Sequence, residues 1–308
     1  MPQLSSKQKG IFFVLLASAL WGTLGTFYRL GTDEFHLTPL AIVFWRGAVA
    51  AIALGAVMGV VLPVGAGKRW RGLLRVRRAD LPMFFAFGLL GVTAFYPLYI
   101  YAVLLVGVAV AVVLLYTAPI IVSLLAWRFL GEGFDRRKLA ALLLTFVGIL
   151  LMSRAYDPAL LSVDALGVLC GLGSAFAYAL YSILGKVSLN RGYSAATTSF
   201  YIYGIGVSGL LVLALIVGPE TLRVGANPGA WGLLLVLGLV QTLGAVAAYV
   251  TGLRHLEAGV ASILATFEPL VATILAFLVL HEAIAWPQML GGLLILGAVF
   301  LLQWRTRQ

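Results

Sequence analysis

Charge is scarce in this 308-residue chain: Asp, Glu, Lys and Arg together make up 10% of it, against about a quarter in a soluble globular domain. So few charges cannot solvate the surface of a folded chain this long. With 62% hydrophobic residues and a mean hydropathy of +1.06, water is excluded as its main solvent. The single cysteine, Cys170, lies inside an apolar stretch, so neither an internal disulfide nor a cysteine-based metal site is expected. The three histidines, His36, His255 and His281, fall at the ends of apolar runs. There is no G-x-x-x-x-G-K-[ST] phosphate loop and no room for an ATPase domain, which excludes direct drive by ATP within this chain. No cofactor and no metal is expected.

What the chain has in abundance is apolar runs of membrane-crossing length. They fall at about 11–30, 38–62, 81–105, 108–130, 137–154, 165–188, 194–217, 228–253, 258–280 and 286–304, most near the roughly 20 residues a helix needs to cross hydrocarbon. The third and fourth run together from Leu104 to Val113. They are divided at Gly107, because one helix of that combined length overshoots a core about 30 Å thick. The expected fold is therefore all-α and membranous, with ten transmembrane helices. Lys7 and Lys9 ahead of an apolar run, with Ala17-Ser18-Ala19 behind, have the outline of a cleaved leader. Apolar residues continue past that point to Leu30, which reads as an uncut first span.

The net charge of +10 does not read as a nucleic-acid surface, since the charges sit between spans rather than on one exposed face. With the N-terminus in the cytoplasm, 17 of the 21 Lys and Arg residues fall inside, so both termini are expected there. The cluster Lys68-Arg69-Trp70-Arg71, with Arg75, Arg77 and Arg78, reads as a topology anchor beside anionic headgroups. The expected location is a bacterial cytoplasmic membrane. The expected partners are the bilayer and a small-molecule substrate, with no nucleic acid; oligomeric state is not legible.

A shift of 150 residues superposes Val110-Ala111 on Val260-Ala261, Leu114 on Leu264, Pro119 on Pro269, Leu125-Ala126 on Leu275-Ala276, Leu130 on Leu280, and Glu132 on Glu282. Leu and Ala coincide readily in an apolar chain, so the weight rests on Pro and Glu. The chain thus divides into halves, 1–154 and 160–308, with five spans each. An odd number of spans inserts the second half upside down relative to the first, and inverted repeats are a hallmark of secondary transporters.

Four motifs punctuate those halves: Ser18-Ala19-Leu20-Trp21-Gly22 in span 1; Phe44-Trp45-Arg46 in span 2; Tyr116-Thr117-Ala118-Pro119 running to Leu130-Gly131-Glu132; and Phe267-Glu268-Pro269-Leu270 running to Leu280-His281-Glu282. In these, and over nearly its whole length, the sequence resembles the drug/metabolite transporter superfamily in its EamA branch. Within that branch it is most similar to the YddG-type aromatic amino-acid exporters. The resemblance implies ten spans arranged five plus five, and a central cavity walled by spans 1, 3, 4, 6, 8 and 9.

Ionisable groups at bilayer depth are functional candidates whose partners must be named. Counting ~1.5 Å per residue, Glu268 lies about 15 Å in from the cytoplasmic end of span 9 and Arg46 about 12 Å in from the outer end of span 2. Glu268 reads either as a proton-coupling or substrate-gripping carboxylate, or as half of a buried pair with Arg46 that holds two helices in register; the sequence favours the pair. Glu132 and Glu282 lie at span ends, where helix capping accounts for them. Pro97, Pro119 and Pro269 interrupt spans 3, 4 and 9, freeing backbone carbonyls that a cavity or a protein neighbour must satisfy.

Aromatic residues divide by depth. Trp70, Trp127, Tyr156, Tyr193, Trp231, Trp286 and Trp304 sit near span ends as interfacial anchors. Trp21, Tyr96, Tyr99, Tyr116, Tyr178 and Tyr181 lie deeper, where a hydroxyl or indole N–H needs a polar partner. With Gln241 at the middle of span 8 they are the candidate substrate-binding set; hydrogen bonding between helices is an equal account of any one of them. Ser174, Tyr178 and Tyr181 form one stripe at i, i+4, i+7, repeated by Trp21, Gly25 and Tyr28.

Gly204-Ile205-Gly206-Val207-Ser208-Gly209 matches both a dinucleotide fingerprint and an intramembrane serine-protease motif. It lies inside span 7 with no preceding strand and no histidine at depth, so it reads as small residues that let helices approach. An enzyme is not expected. The chain reads as a secondary transporter of small metabolites, exporting amino acids and aromatic ones among them; uptake or exchange of other metabolites or drugs, an intramembrane enzyme and a channel are the alternatives.

Overall fold

The computed structural model describes residues 5–61, 75–160, 164–281 and 283–303. Every regular element among them is helical, as it must be where no water satisfies the backbone. Helix α1 (Ser6–Gly22) opens on a capping box of Ser5 and Gln8 and stops at Thr23; α2 (Leu24–Asp33) carries the chain on. Helix α3 (Pro39–Ala56) starts at a Thr38 cap with Pro39 in its first turn, the favoured place for a residue without an N–H. Helix α4 (Leu81–Gly88) reaches α5 (Phe95–Leu115) through π-helical turns over Leu89–Ala94. There follow α6 (Ala118–Leu130), α7 (Arg136–Met152), α8 (Ala165–Asn190) and α9 (Ala195–Val217). Helix α10 (Pro228–Val236) reaches α11 (Ala245–Leu253) through another π segment, Leu237–Gly244. The chain ends with α12 (Ala258–Ala265), α13 (Glu268–Leu280) and α14 (Trp286–Gln303).

Among the described residues, eight helical stretches are long and apolar enough to cross a membrane. Two features separate that number from the ten expected. Residues 78–130 form one 53-residue stretch, within which Gly107 takes φ 77° and ψ 164°, a conformation outside any helix and open essentially to glycine alone. Helix α7, at 17 residues, is shorter than any of the eight. The backbone thus leaves the helix at the residue where the sequence divides spans 3 and 4.

The elements also recur at a fixed spacing. Helices α6 and α13 start and stop 150 residues apart and end alike, in left-handed Gly131 and His281. Helices α7 and α14 start 150 residues apart, and the π segments Leu89–Ala94 and Leu237–Gly244 stand in corresponding places, while the first half carries a further one at Val57–Val61. Packing crosses between the halves: α5 runs along α8, α7 along α14, α1 along α11 and α3 along α9. The outward surface is apolar, with Leu104, Ile216 and Phe300 exposed, as lipid contact requires.

Close approach explains the glycine-rich run in α9. A Cβ at Gly206 would lie 2.5 Å from Val92, and one at Gly209 2.3 Å from the Thr93 hydroxyl; Thr93 in turn donates to the Gly206 carbonyl at 2.9 Å. The prolines act differently from the expectation of mid-helix kinks. Pro119 and Pro269 sit in the first turn of α6 and α13, after breaks at Thr117 and Phe267, so they begin helices rather than bend them. Pro97 follows the π segment Leu89–Ala94, but the segment Leu237–Gly244 forms with Ala247 at the corresponding place; proline is not what creates it.

Candidate functional site

A cavity of about 1040 Å³ lies between the halves. Trp21, Tyr96, Tyr99, Tyr116, Tyr178, Tyr181 and Gln241 all line it, as do Arg46, Glu268, Pro119 and Pro269; Pro97 does not. Walls come from the six expected spans and also from α3 through Arg46, α7 through Met152 and α9 through Tyr203. Pro39, Gly107 and Met152 stand at one end of the cavity, the end of the molecule away from Ser5.

Three helix breaks supply the depth. At Thr23 the hydroxyl turns back to the Leu20 carbonyl, 2.6 Å away. At Thr117 the hydroxyl does the same to Leu114 at 2.7 Å, and at Thr266 to Ile263 at 2.6 Å. Each threonine thus gives its hydroxyl to a carbonyl that also accepts its own backbone N–H at the helix end. The break before α13 puts Glu268 in that helix's first turn, where the dipole favours an anion. Tyr116 caps α5 and its hydroxyl is the hydrogen-bonding neighbour of Glu268.

The buried pair favoured by the sequence is replaced by another arrangement. No ion pair joins Arg46 to Glu268 among the described residues; the Arg46 guanidinium donates through Nη2 to the Tyr96 hydroxyl and lies 5.8 Å from the centre of the Tyr28 ring. Its Nη1 is buried without a hydrogen-bond partner among the described residues. The two charges face one cavity from different walls, near enough for Arg46 to act on Glu268 through space. Depth along a helix is legible from residue counting; the rotation that decides contact is not.

The aromatic lining is packed, not loose. Trp21 meets Tyr249 at 5.3 Å between ring centres, and the Tyr249 hydroxyl is held by Ser182 at 2.9 Å. Phe95 and Tyr99 stack at 6.4 Å, as do Tyr178 and Tyr181. Such ring contacts are worth about 0.5–1.5 kcal/mol each beyond burial. Ser174, placed by spacing on the stripe of Tyr178, is instead buried with its hydroxyl on the Gly171 carbonyl at 2.7 Å. Tyr203 and Phe95 line the cavity without having been singled out. No sequence signal marks Tyr203, since a tyrosine beside a glycine run reads equally as packing.

A polar cluster joins the segment after α6 to the start of α12. The Glu132 carboxylate accepts the backbone N–H of Ala258 at 2.5 Å and of Gly259 at 3.0 Å. Lys138 donates to the Gly133 carbonyl at 2.6 Å and to Glu257 at 2.8 Å. Lys186 donates to the carbonyls of Leu253 and Leu256, both at 2.6 Å. Glu132 is thus a helix cap, as expected, but of α12 rather than of its own helix. Glu282, Trp70 and Trp304 lie outside the described residues; Trp127 and Trp286 are exposed as interfacial anchors should be.

Comparison with known proteins bears on this site. The EamA-like transporter family model matches residues 8–154 and again 165–304. An uncharacterized transporter of Archaeoglobus fulgidus is 30% identical over 293 residues, covering 95% of each chain. An uncharacterized inner membrane transporter, YicL, of Salmonella typhimurium is 25% identical over 99% of this chain and 98% of that one. A probable terminal-alkyne amino-acid exporter of Streptantibioticus cattleyicolor is 26% identical over 97% and 94%. One crystal structure superposes with a TM-score of 0.78 over 95% of both chains at 16% identity, a likeness of fold.

Proposed function

Because this chain belongs to the EamA-like transporter family and is a multi-pass inner-membrane protein, we propose that it exports amino acids, aromatic ones among them, by alternating access. The observation that carries the proposal is the cavity: about 1040 Å³, walled by both halves, rich in Tyr with Trp21 beside them, and edged by Arg46 and the Glu268 carboxylate. A space that size takes a small metabolite, and rings recognise rings. The relative from Streptantibioticus cattleyicolor, by its name a probable amino-acid exporter, supports the same cargo class.

The proposed topology is ten crossings, in two inverted halves of five, with both termini in the cytoplasm. It is supported by the non-helical Gly107 within the 53-residue stretch, by the 150-residue spacing of α6 and α13, and by the Lys and Arg bias of the sequence. With that orientation the cavity opens outward and the Glu132 cluster lies at the cytoplasmic end. The halves then rock about the midplane to exchange the two openings.

Counterflow tests the proposal. Vesicles containing purified protein and loaded with unlabelled phenylalanine or tryptophan should accumulate the labelled amino acid transiently and saturably. Transport of threonine or a sugar phosphate without either aromatic amino acid would defeat the cargo assignment. Linear flux without counterflow would make the protein a channel.

A further inference from the structure

The cavity wall carries two polar poles, and neither Arg46 nor Glu268 forms an ion pair among the described residues. One is Arg46, 4% exposed, whose guanidinium spends Nη2 on the Tyr96 hydroxyl and leaves Nη1 buried without a hydrogen-bond partner among the described residues. No carboxylate lies within ion-pairing distance of it among the described residues. A guanidinium held so deep, with only a phenol and ring faces around it, is costly unless an anion completes its shell. Its fork suits the two oxygens of a carboxylate.

The other pole flanks the end of α1. Gly22 there packs directly on the backbone of Glu268, a Cβ being 2.8 Å from the Glu268 carbonyl. Next along, Gln241 donates through Nε2 to the Thr23 hydroxyl at 2.9 Å. The Thr23 hydroxyl has one hydrogen, given to Leu20 at 2.6 Å, so it can only accept from Gln241. That fixes the orientation of the amide and leaves Oε1 as an acceptor, which is 2% exposed as a residue and has no partner. The Glu268 carboxylate and Gln241 both line this part of the cavity, and each offers acceptor oxygens, suited to a group with several N–H bonds and a positive charge.

We infer that the site reads its substrate at two ends, Arg46 with Tyr96 taking the α-carboxylate, and Glu268 with Gln241 taking the α-ammonium, so that the cargo is a free amino-acid zwitterion. The side chain of the cargo then lies among Tyr99, Tyr116 and Tyr178. This rests on the transport reading above and narrows it, because a monopolar amine, a carboxylic acid or a capped peptide leaves one pole unneutralised. Discrimination follows from the unpaired charge, since rejecting a ligand that lacks one hydrogen-bonding group is where such sites are strongest.

The test compares ligands that differ only at the two ends. Phenylalanine, phenylalanine amide, 3-phenylpropionate and phenethylamine are added, first to detergent-purified protein with thermal stabilisation as the readout and then as competitors of counterflow. Leucine, leucine amide, 4-methylpentanoate and isoamylamine serve as a second series. The expected result is that each amino acid binds at least about tenfold more tightly than the three others of its series, each tenfold being about 1.4 kcal/mol. Arg46→Gln should abolish the preference over the amide while sparing the preference over the deaminated acid; Glu268→Gln should do the reverse. Tyr96→Phe and Gln241→Leu, milder changes at the same poles, should reduce the same two preferences if either charge variant fails to fold. Equal binding of all four ligands, or variants that keep the wild-type preferences, would overturn the inference. Zwitterion-selective binding without counterflow would leave it standing and defeat the transport reading, whereas counterflow of phenylalanine with no preference at either end would do the opposite.

Discussion

Glu132, at the end of α6, accepts the backbone N–H of Ala258 at 2.5 Å, so a side chain from one half of the protein caps a helix in the other. It also accepts the N–H of Gly259, and Lys138 stands 3.7 Å from its second oxygen. The cap therefore joins the two halves.

Removing that cap should cost stability. Charge-assisted hydrogen bonds to buried N–H groups are worth about 1.5–3 kcal/mol each, so Glu132→Ala should lower the unfolding midpoint in detergent clearly and Glu132→Gln by less. A Glu132→Ala protein that melts with the wild type would show that the cap contributes nothing.

The aromatic wall should matter for rate and not for insertion. Trp21→Ala, Tyr99→Ala and Tyr178→Ala each remove ring contacts of about 1 kcal/mol, enough for a several-fold to about tenfold loss of transport per residue. Membrane levels should stay near wild type. Unchanged transport in all three would remove the cavity from the transport path.

Steric fit makes a sharper prediction in α9. A side chain at Gly206 or Gly209 must displace Val92 or Thr93, so Gly206→Leu and Gly209→Val should destabilise by roughly 1–3 kcal/mol or more, as overpacked cores do. Gly204→Ala is the control, since a Cβ there meets nothing within 4 Å. Matching melting curves for Gly204→Ala and Gly209→Val would contradict the packing.

Gly107 offers a purely backbone test. A Cβ there also meets nothing within 4 Å, yet φ is +77°. Gly107→Ala should therefore cost about 1–3 kcal/mol through strain alone, read as a lower unfolding midpoint. A neutral result would mean that the chain can pass this point as ordinary helix.

Much of the site was legible before any coordinates. Residues such as Tyr99, Tyr178 and Gln241 declare themselves because a polar group at bilayer depth must face protein or a cavity. Glu268 and Pro269 declare a break for the same reason. Tyr203 was not legible, because a tyrosine in a glycine-rich helix reads equally as packing. The Arg46–Glu268 pair was a plausible error: depth brought the two residues level, and only the neighbours of α3 decided that Tyr96 takes the guanidinium instead.

The sequence by itself determined the solvent, the helical class and the approximate places where helices end, since each follows from local hydropathy and from residues such as Gly107 and Pro119. Tertiary structure alone decided which side chains meet: that Glu132 caps α12, that Gln241 keeps a free oxygen, that Arg46 and Glu268 stand apart across a cavity. The physical reason is that these helices are apolar nearly all round. Hydropathy then carries no signal for rotation about the helix axis, and rotation is set by long-range close packing, such as Gly206 against Val92.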